Sequence, residues 1–322
     1  MTALDDRQSA RPDELTTGAR GTPGARGRPL RKRPGDAPWA WLMISPMVLG
    51  LSVFYLWPLV QTLYFSFTTW GPFGGHTWTG LDNYRRLVGD PEVRHAFSNT
   101  IKFTLLSLLG VPIAVVFASL LNHKGLRGVG FYRALFFLPV VTLPAAVAIV
   151  WRYLLNGDFG ILNYLLSFLG IAGPSWVGDS RFALYSIVVV GVWSSLGYNI
   201  VILLSGLQTI PRELYEASSL DGAGPVRQFF SITVPMLSPS IFFVTVLSVI
   251  GSLQMFDLVY VMVGRSSPAL QSTQTVLYLF YERAFVDNDR GYAAAIVFAL
   301  LLLVLAMTLL QFRLQRKWVH YA

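Results

Sequence analysis

The residues that could carry or power a reaction are few. Lys32, Lys102, Lys124 and Lys317 are followed by Arg33, Phe103, Gly125 and Trp318, so none is the lysine before Ser or Thr that a phosphate-binding P-loop requires. His76, His95, His123 and His320 are scattered and lack metal-ligand spacing. The 322 residues include no cysteine, which excludes a disulfide framework, thiolate zinc sites and thiol catalysis. No pair suggests a nucleophile with its base. Ion-coupled carriers keep ionisable groups at mid-membrane, and the apolar segments here hold almost none. Asp257 is the main exception, near the end of the fifth segment. The chain reads as a passage with no catalytic residue, metal site or motor of its own. Either transport is passive or a partner does the work.

Composition says what surrounds those residues. Hydrophobic residues make up 53% of the chain and charged residues 13%, about half the charge of a soluble domain. Such a chain cannot cover a water-facing surface, which points to lipid as its main solvent. Residues 1–38 differ: rich in Arg, Gly, Pro, Asp and Thr, they cannot bury enough surface to offset their ordering entropy. They are expected to form a disordered cytoplasmic tail whose Arg26, Arg28, Arg31, Lys32 and Arg33 anchor it electrostatically rather than bind nucleic acid. Residues 39–322 then form one membrane domain. Six apolar segments, roughly 39–67, 99–121, 131–155, 182–207, 239–263 and 291–312, each have the length of a membrane-spanning helix. Their apolar runs are too continuous for barrel strands. The expected fold is an all-α integral membrane protein with six transmembrane helices. With the N-terminus inside, 16 basic residues fall on the inner side and 9 on the outer, which favours both termini in the cytoplasm.

The loop between the fourth and fifth segments is the informative one, at about 208–236. Pro211 suits a first helical turn. Leu214, Ala217 and Leu220 recur every three residues as a narrow apolar stripe. Gly222 can take the left-handed conformation that stops a helix. Pro225 can start the next helix, with Val226, Phe229 and Phe230 as its apolar face. Two short amphipathic helices of this kind could lie on lipid or dock into a groove on a partner.

The run Glu216-Ala217-Ser218-Ser219-Leu220-Asp221-Gly222-Ala223, followed by Ile232-Thr233-Val234-Pro235, resembles the EAA motif of permease subunits of binding-protein-dependent ABC importers. Ser218 stands where Ala is usual and Val234 where Leu is usual. Gly80-Leu81-Asp82-Asn83-Tyr84, Asn99-Thr100, Phe131-Tyr132-Arg133-Ala134, Phe137-Leu138-Pro139, Gln254-Met255-Phe256-Asp257, Tyr260-Val261, Ser272-Thr273 and Gly291-Tyr292-Ala293-Ala294-Ala295 extend the likeness from about Trp39 to the C-terminus. The likeness is to the carbohydrate-uptake subfamily, on the maltose and glycerol-phosphate permease branch. Arg265-Ser266-Ser267-Pro268 departs from that branch's usual glycine-glycine-proline.

The resemblance implies a type I ABC importer transmembrane domain in a bacterial cell membrane. It implies a second homologous permease subunit, two ATP-binding cassette subunits that bind ATP and Mg, and an extracytoplasmic sugar-binding protein. Glu216, Ala217, Leu220, Asp221, Gly222, Ala223 and Pro235 would form the element that couples to the ATPase. A sugar path needs hydrogen-bonding groups and aromatic faces inside the bundle. Trp193, Tyr198, Asn199, Gln254 and Asp257 are its candidates, although an intramembrane Asn or Gln often only joins helices. The competing reading is a self-sufficient channel or secondary carrier for a small polar solute.

Overall fold

The computed structural model describes residues 36–70, 74–123, 125 and 127–319. Nearly all of the expected N-terminal tail, with its five clustered basic residues, lies outside the described residues, as do Lys124 and His320. The chain divides after Tyr55 into two units. The first contains α1 (Asp36–Leu51), an apolar helix with Pro46 inside it.

The second unit begins with α2 (Trp57–Phe65) and a two-stranded antiparallel hairpin, β1 (Thr68–Trp70) and β2 (His76–Trp78), paired Thr68 to Trp78. Then come α3 (Asp82–Gly89), α4 (Pro91–Ser107), α5 (Gly110–Leu121), α6 (Val129–Val141), α7 (Pro144–Leu154), α8 (Ile161–Ser167) and α9 (Ala183–Leu207). The remainder comprises α10 (Arg212–Leu220), α11 (Pro225–Gln228), α12 (Val234–Met236), α13 (Ser238–Leu253), α14 (Leu270–Thr273), α15 (Val276–Tyr281) and α16 (Arg290–Trp318). Among the described residues four helical stretches are long and apolar enough to cross a membrane: Pro38–Phe65, Pro91–Leu121, Ala183–Leu207 and Arg290–Arg316. The count reaches six when α6 with α7, and 225–236 with α13, are each taken as one bent span.

Two expected spans are therefore not straight. The stretch 131–155 is broken between α6 and α7, which meet at 104°. Leu143, before Pro144, is extended at ψ 128°, as the proline ring requires of its predecessor. The expected fifth span, 239–263, is helical only to Leu253; a turn follows, and Val259–Val263 is a π-helical segment. The second span starts earlier than expected, at Pro91, where Asp90 caps α4 by accepting from the Glu92 N–H at 2.9 Å.

α9 is the packing centre. Its Ile187 and Val190 meet Phe103, Ala148 and Met262, while its Ile200 and Leu203 meet Ala114, Ala118 and Val244. A third cluster joins Val93 and Ala96 to Val276, Leu279, Tyr292 and Ile296. Gly197 lets α6 approach α9 closely: a Cβ there would collide with the Phe136 carbonyl oxygen. Small residues commonly provide such close approach between membrane helices.

A polar latch closes the end of the bundle where α16 begins. Asp90 accepts from Tyr292 Oη at 2.7 Å. Asp289, which caps α16, pairs with Arg86 at 2.6 Å, and the Arg86 guanidinium lies 3.8 Å from the Tyr292 ring centroid. Arg283 pairs with Asp287 at 2.8 Å and also with Glu92. Burial works to raise the Asp90 carboxyl. The hydrogen bonds from Tyr292 and the Glu92 N–H, with Arg283 nearby, outweigh it and hold the group below its ordinary 3.8.

A carboxylate held below its unfolded value stabilises the fold above that value, and the contribution is lost as pH falls through the folded value. Thermal unfolding of purified protein should therefore shift downward on acidification below about pH 4. Asp90→Asn should lack that component; an unchanged acid profile in the variant contradicts the latch. Gly197→Ala should cost about 1–3 kcal/mol through overpacking. Gly251→Ala, where a Cβ meets nothing within 4 Å, is the control, and equal melting temperatures for the two variants would count against the close approach.

Candidate functional site

The helical hairpin 211–236 forms from local signals. Pro211 stands just before α10 with ψ 134°, one position ahead of the first turn in which it was expected. α10 ends at Gly222, whose φ is +76°. The Ala223 N–H donates to the Ser218 carbonyl and the Gly222 N–H to the Ser219 carbonyl, both at 3.0 Å. This is the six-to-one pattern of a helix closed by a left-handed glycine. Pro225 then opens α11, a π-helical turn spans Phe229–Thr233, and the chain bends by 69° into α13. Pro235 and Pro239 flank that bend and have no N–H to leave unbonded there.

Two polar ties hold the helices together. Tyr215 Oη lies 3.0 Å from Thr233 Oγ1. Gln228 Nε2 donates to Ser219 Oγ at 2.8 Å and to the Tyr215 carbonyl at 3.3 Å. Tyr215, Phe229, Ile232 and Met236 pack on the cluster formed by Leu203, Leu207, Ile210 and Leu237. Of the six residues of the expected apolar faces, only Phe229 thus points inward.

The other five point away. Leu220 is 90% exposed, Val226 72% and Phe230 65%, with Leu214, Glu216 and Ala217 also exposed. The stripe Leu214, Ala217, Leu220 is thus a free surface of the chain, and the anchors are Tyr215 and Phe229. Among the described residues, the side chains of Glu216 and Asp221 make no hydrogen bond or ion pair. Gly222 is exposed, Ala223 half-buried, and Pro235 half-buried beside the bend.

The candidate path residues separate into two groups. Tyr198, Asn199 and Asp257 line one cavity of about 460 Å³ between α4, α6–α7, α9 and α13. Trp193 does not: it packs edge to face on Trp151 at 5.4 Å within the core. Gln254 follows the last turn of α13, is exposed, and is not part of the lining. The break at Pro144 helps to form the hollow, which Pro139, Thr142 and Pro144 border.

Five serines in the lining escaped the sequence reading. Ser194 and Ser195 stand four residues before Tyr198 and Asn199 on α9, and Ser248 and Ser252 are four apart on α13. That spacing places each pair on one helix face and was the available signal. The fifth, Ser107, has a buried hydroxyl with no partner. Asn199 is 3% exposed, and its amide has no partner among the described residues. These groups suit a solute rich in hydroxyls that must exchange its water for protein hydrogen bonds.

Residues 108–320 match the family described as binding-protein-dependent transport system inner membrane component. The chain is 34% identical over 286 residues to the sn-glycerol-3-phosphate transport system permease protein UgpA of Pectobacterium atrosepticum, covering 87% of this chain and 95% of that one. It has the same identity and coverage to UgpA of Escherichia coli. Among solved structures, the bacterial alginate ABC transporter in complex with alginate pentasaccharide-bound periplasmic protein superposes with a TM-score of 0.78 at 20% identity, over 88% of this chain and 95% of that one. A bacterial ABC transporter involved in the import of the acidic polysaccharide alginate gives 0.77 at 21%, over 88% and 97%. At these identities the two structures establish the fold.

Tyr215→Phe should lower stability by about 1 kcal/mol, the worth of one hydrogen bond, and should speed amide exchange most in 225–236. Exchange that rises no more there than in α16 would show that the tie does not hold the hairpin.

Proposed function

Because the chain belongs to the family of binding-protein-dependent transport system inner membrane components and is therefore the membrane-spanning permease subunit of an ABC importer, not an enzyme, we propose that it is driven through the hairpin 211–236. The observation that carries this reading is the hairpin's two-sidedness. One face is anchored in the bundle by Tyr215, Phe229 and Ile232, and the other presents Leu220, Val226 and Phe230 with the unpaired carboxylate of Glu216. An apolar helical face with a charged flank suits a groove on a protein.

The occupant of that face is a separate ATP-binding cassette subunit, one of two, which binds ATP and Mg. Ala217, Leu220 and Ala223 supply contact area, Glu216 meets a basic group, and Asp221 borders the contact. Gly222 and Pro235 fix the shape. A second homologous permease completes the path, and an extracytoplasmic binding protein delivers the solute. The hairpin and both termini lie on the cytoplasmic side, with the basic tail 1–38 among them, as the distribution of Lys and Arg supports. The relatives' names carry a phosphorylated polyol and the solved structures an acidic polysaccharide; the class proposed here is the polyhydroxylated solute common to both.

Gly222→Val places a β-branched residue at φ +76°, and strain of about 1–3 kcal/mol is expected there, although a Cβ would meet nothing within 4 Å. Gly222→Val and Leu220→Asp should each reduce binding-protein-dependent uptake at least about tenfold and weaken ATPase co-purification. Glu216→Ala should do so by a smaller factor. Membrane insertion should be unchanged in all three. Normal uptake in all three variants would refute the coupling role.

A further inference from the structure

The segment between α7 and α9 connects two spans and is unlike a loop built for water. Residues 159–178 hold no Asp, Glu, Lys, Arg or His. Within them, Phe159, Ile161, Tyr164, Leu165, Phe168 and Leu169 are 55–73% exposed. Ile161, Tyr164, Leu165 and Phe168 stand at i, i+3, i+4 and i+7, so they share one face of α8. The opposite side is tied to the bundle. Leu162, with Trp176 and Val177 beyond the helix, packs on the cluster that contains Leu155 and Ile187.

The backbone of this segment is closed within the chain. Asn163 Nδ2 donates to the carbonyls of Gly157, Gly173 and Pro174 at 2.7–3.2 Å, and its Oδ1 accepts from Trp176 Nε1 at 2.7 Å. Asn156 Oδ1 accepts from the Asp158 and Phe159 N–H groups ahead of α8. Gly170, at φ +73°, follows the helix, and the Ile171 N–H donates back to the Leu166 carbonyl. Water would satisfy such groups without help; lipid would not.

The occupant that fits this face is lipid. The hairpin 211–236 flanks its apolar surface with exposed Arg212, Glu213, Glu216 and Arg227, the polar rim of a protein contact. α8 has no charged flank. Its face also continues that of a span: Ile149, Val150 and Tyr153 of α7 are exposed, and the Tyr153 ring lies 6.2 Å from that of Phe159. Charge returns only at the two ends, at Asp158 and at the pair of Asp179 and Arg181, 2.7 Å apart.

We propose that α8 is a re-entrant element whose exposed face is immersed in the lipid leaflet at the start of α9, opposite the hairpin at that helix's other end. There it pins the ends of α7 and α9 at a set depth. The proposal is independent of the coupling role of the hairpin.

The absence of cysteine permits a direct test. Leu165→Cys and, separately, Phe168→Cys are made in the chain co-expressed with its partner permease and ATPase, spin-labelled, and placed in phosphatidylcholine nanodiscs. Collision of the nitroxide with oxygen, which concentrates in hydrocarbon, is compared with collision with a neutral nickel chelate, which stays in water. Ser266→Cys, in the exposed turn 265–268, is the aqueous reference. The oxygen-to-nickel ratio at both α8 positions should exceed the reference at least about fivefold. A smaller ratio at either position means a water-facing loop and overturns the proposal. Low collision with both reagents means a face covered by protein and overturns it too. A second measurement needs no substitution. On the unsubstituted chain in the same assembly, phosphatidylcholine with a diazirine in its acyl chain should modify residues 159–171, located by peptide mass. Labelling of α16 with none in 159–171 would likewise overturn the proposal.

Discussion

Lipid offers a peptide group nothing to bond to, so every backbone N–H and C=O of a membrane span must be satisfied within the protein. The rest of this structure depends on that constraint. It makes nearly every apolar stretch helical, and it makes each interruption expensive unless a donor is already missing. Among the described residues, the two sharply bent helix pairs occur where prolines have removed donors, at Pro144 between α6 and α7 and at Pro235 and Pro239 between α12 and α13. The first bend borders the cavity. The second turns the chain out of the bundle into the hairpin. The two features assigned to function are thus placed by the same device.

α9 and α13 join these features. Leu203 and Leu207 of α9 receive the hairpin's anchoring residues, and Ser195 and Asn199 of the same helix line the cavity. On α13 the sequence runs from Leu237 at the bend to Ser248 and Ser252 in the lining. Close packing leaves such helices little room to absorb a displacement locally. Under the proposed coupling, a movement imposed at the hairpin would be passed along them to the hollow. The polar latch ties α3, α4 and the start of α16 at the far end of α16, about 40 Å along that helix from its last turn. Its charged and aromatic groups hold the bundle where the apolar clusters end.

How much of this could be read without coordinates follows from how local each signal is. Gly222, Pro225 and the spacing around them are resolved within a few residues, and the hairpin took the expected form. The span count was legible because length and apolarity are properties of a single segment. Bends were not, since Pro139 and Pro144 permit a break without requiring one; Pro46 sits inside an unbroken α1. Which side of the hairpin faced inward was also illegible. Leu214, Ala217 and Leu220 look like a packing stripe, but Tyr215 has both the ring to fill the gap beside Leu207 and the hydroxyl to reach Thr233. Trp193 was expected on the path for its ring and is instead held in the core by Trp151. The latch had no local trace at all: Arg86 and Asp289 are 203 residues apart, and only the fold brings them together.

The central claim is that force enters this subunit through the exposed face of the hairpin. The most direct measurement is site-specific crosslinking from that face. A single cysteine at Leu220 in this cysteine-free chain would carry a short thiol-reactive photocrosslinker in the assembled importer. The account predicts an adduct with the ATPase whose yield changes between nucleotide-free and ATP-bound states. Adducts only with lipid, while the ATPase remains bound to the complex, would contradict it.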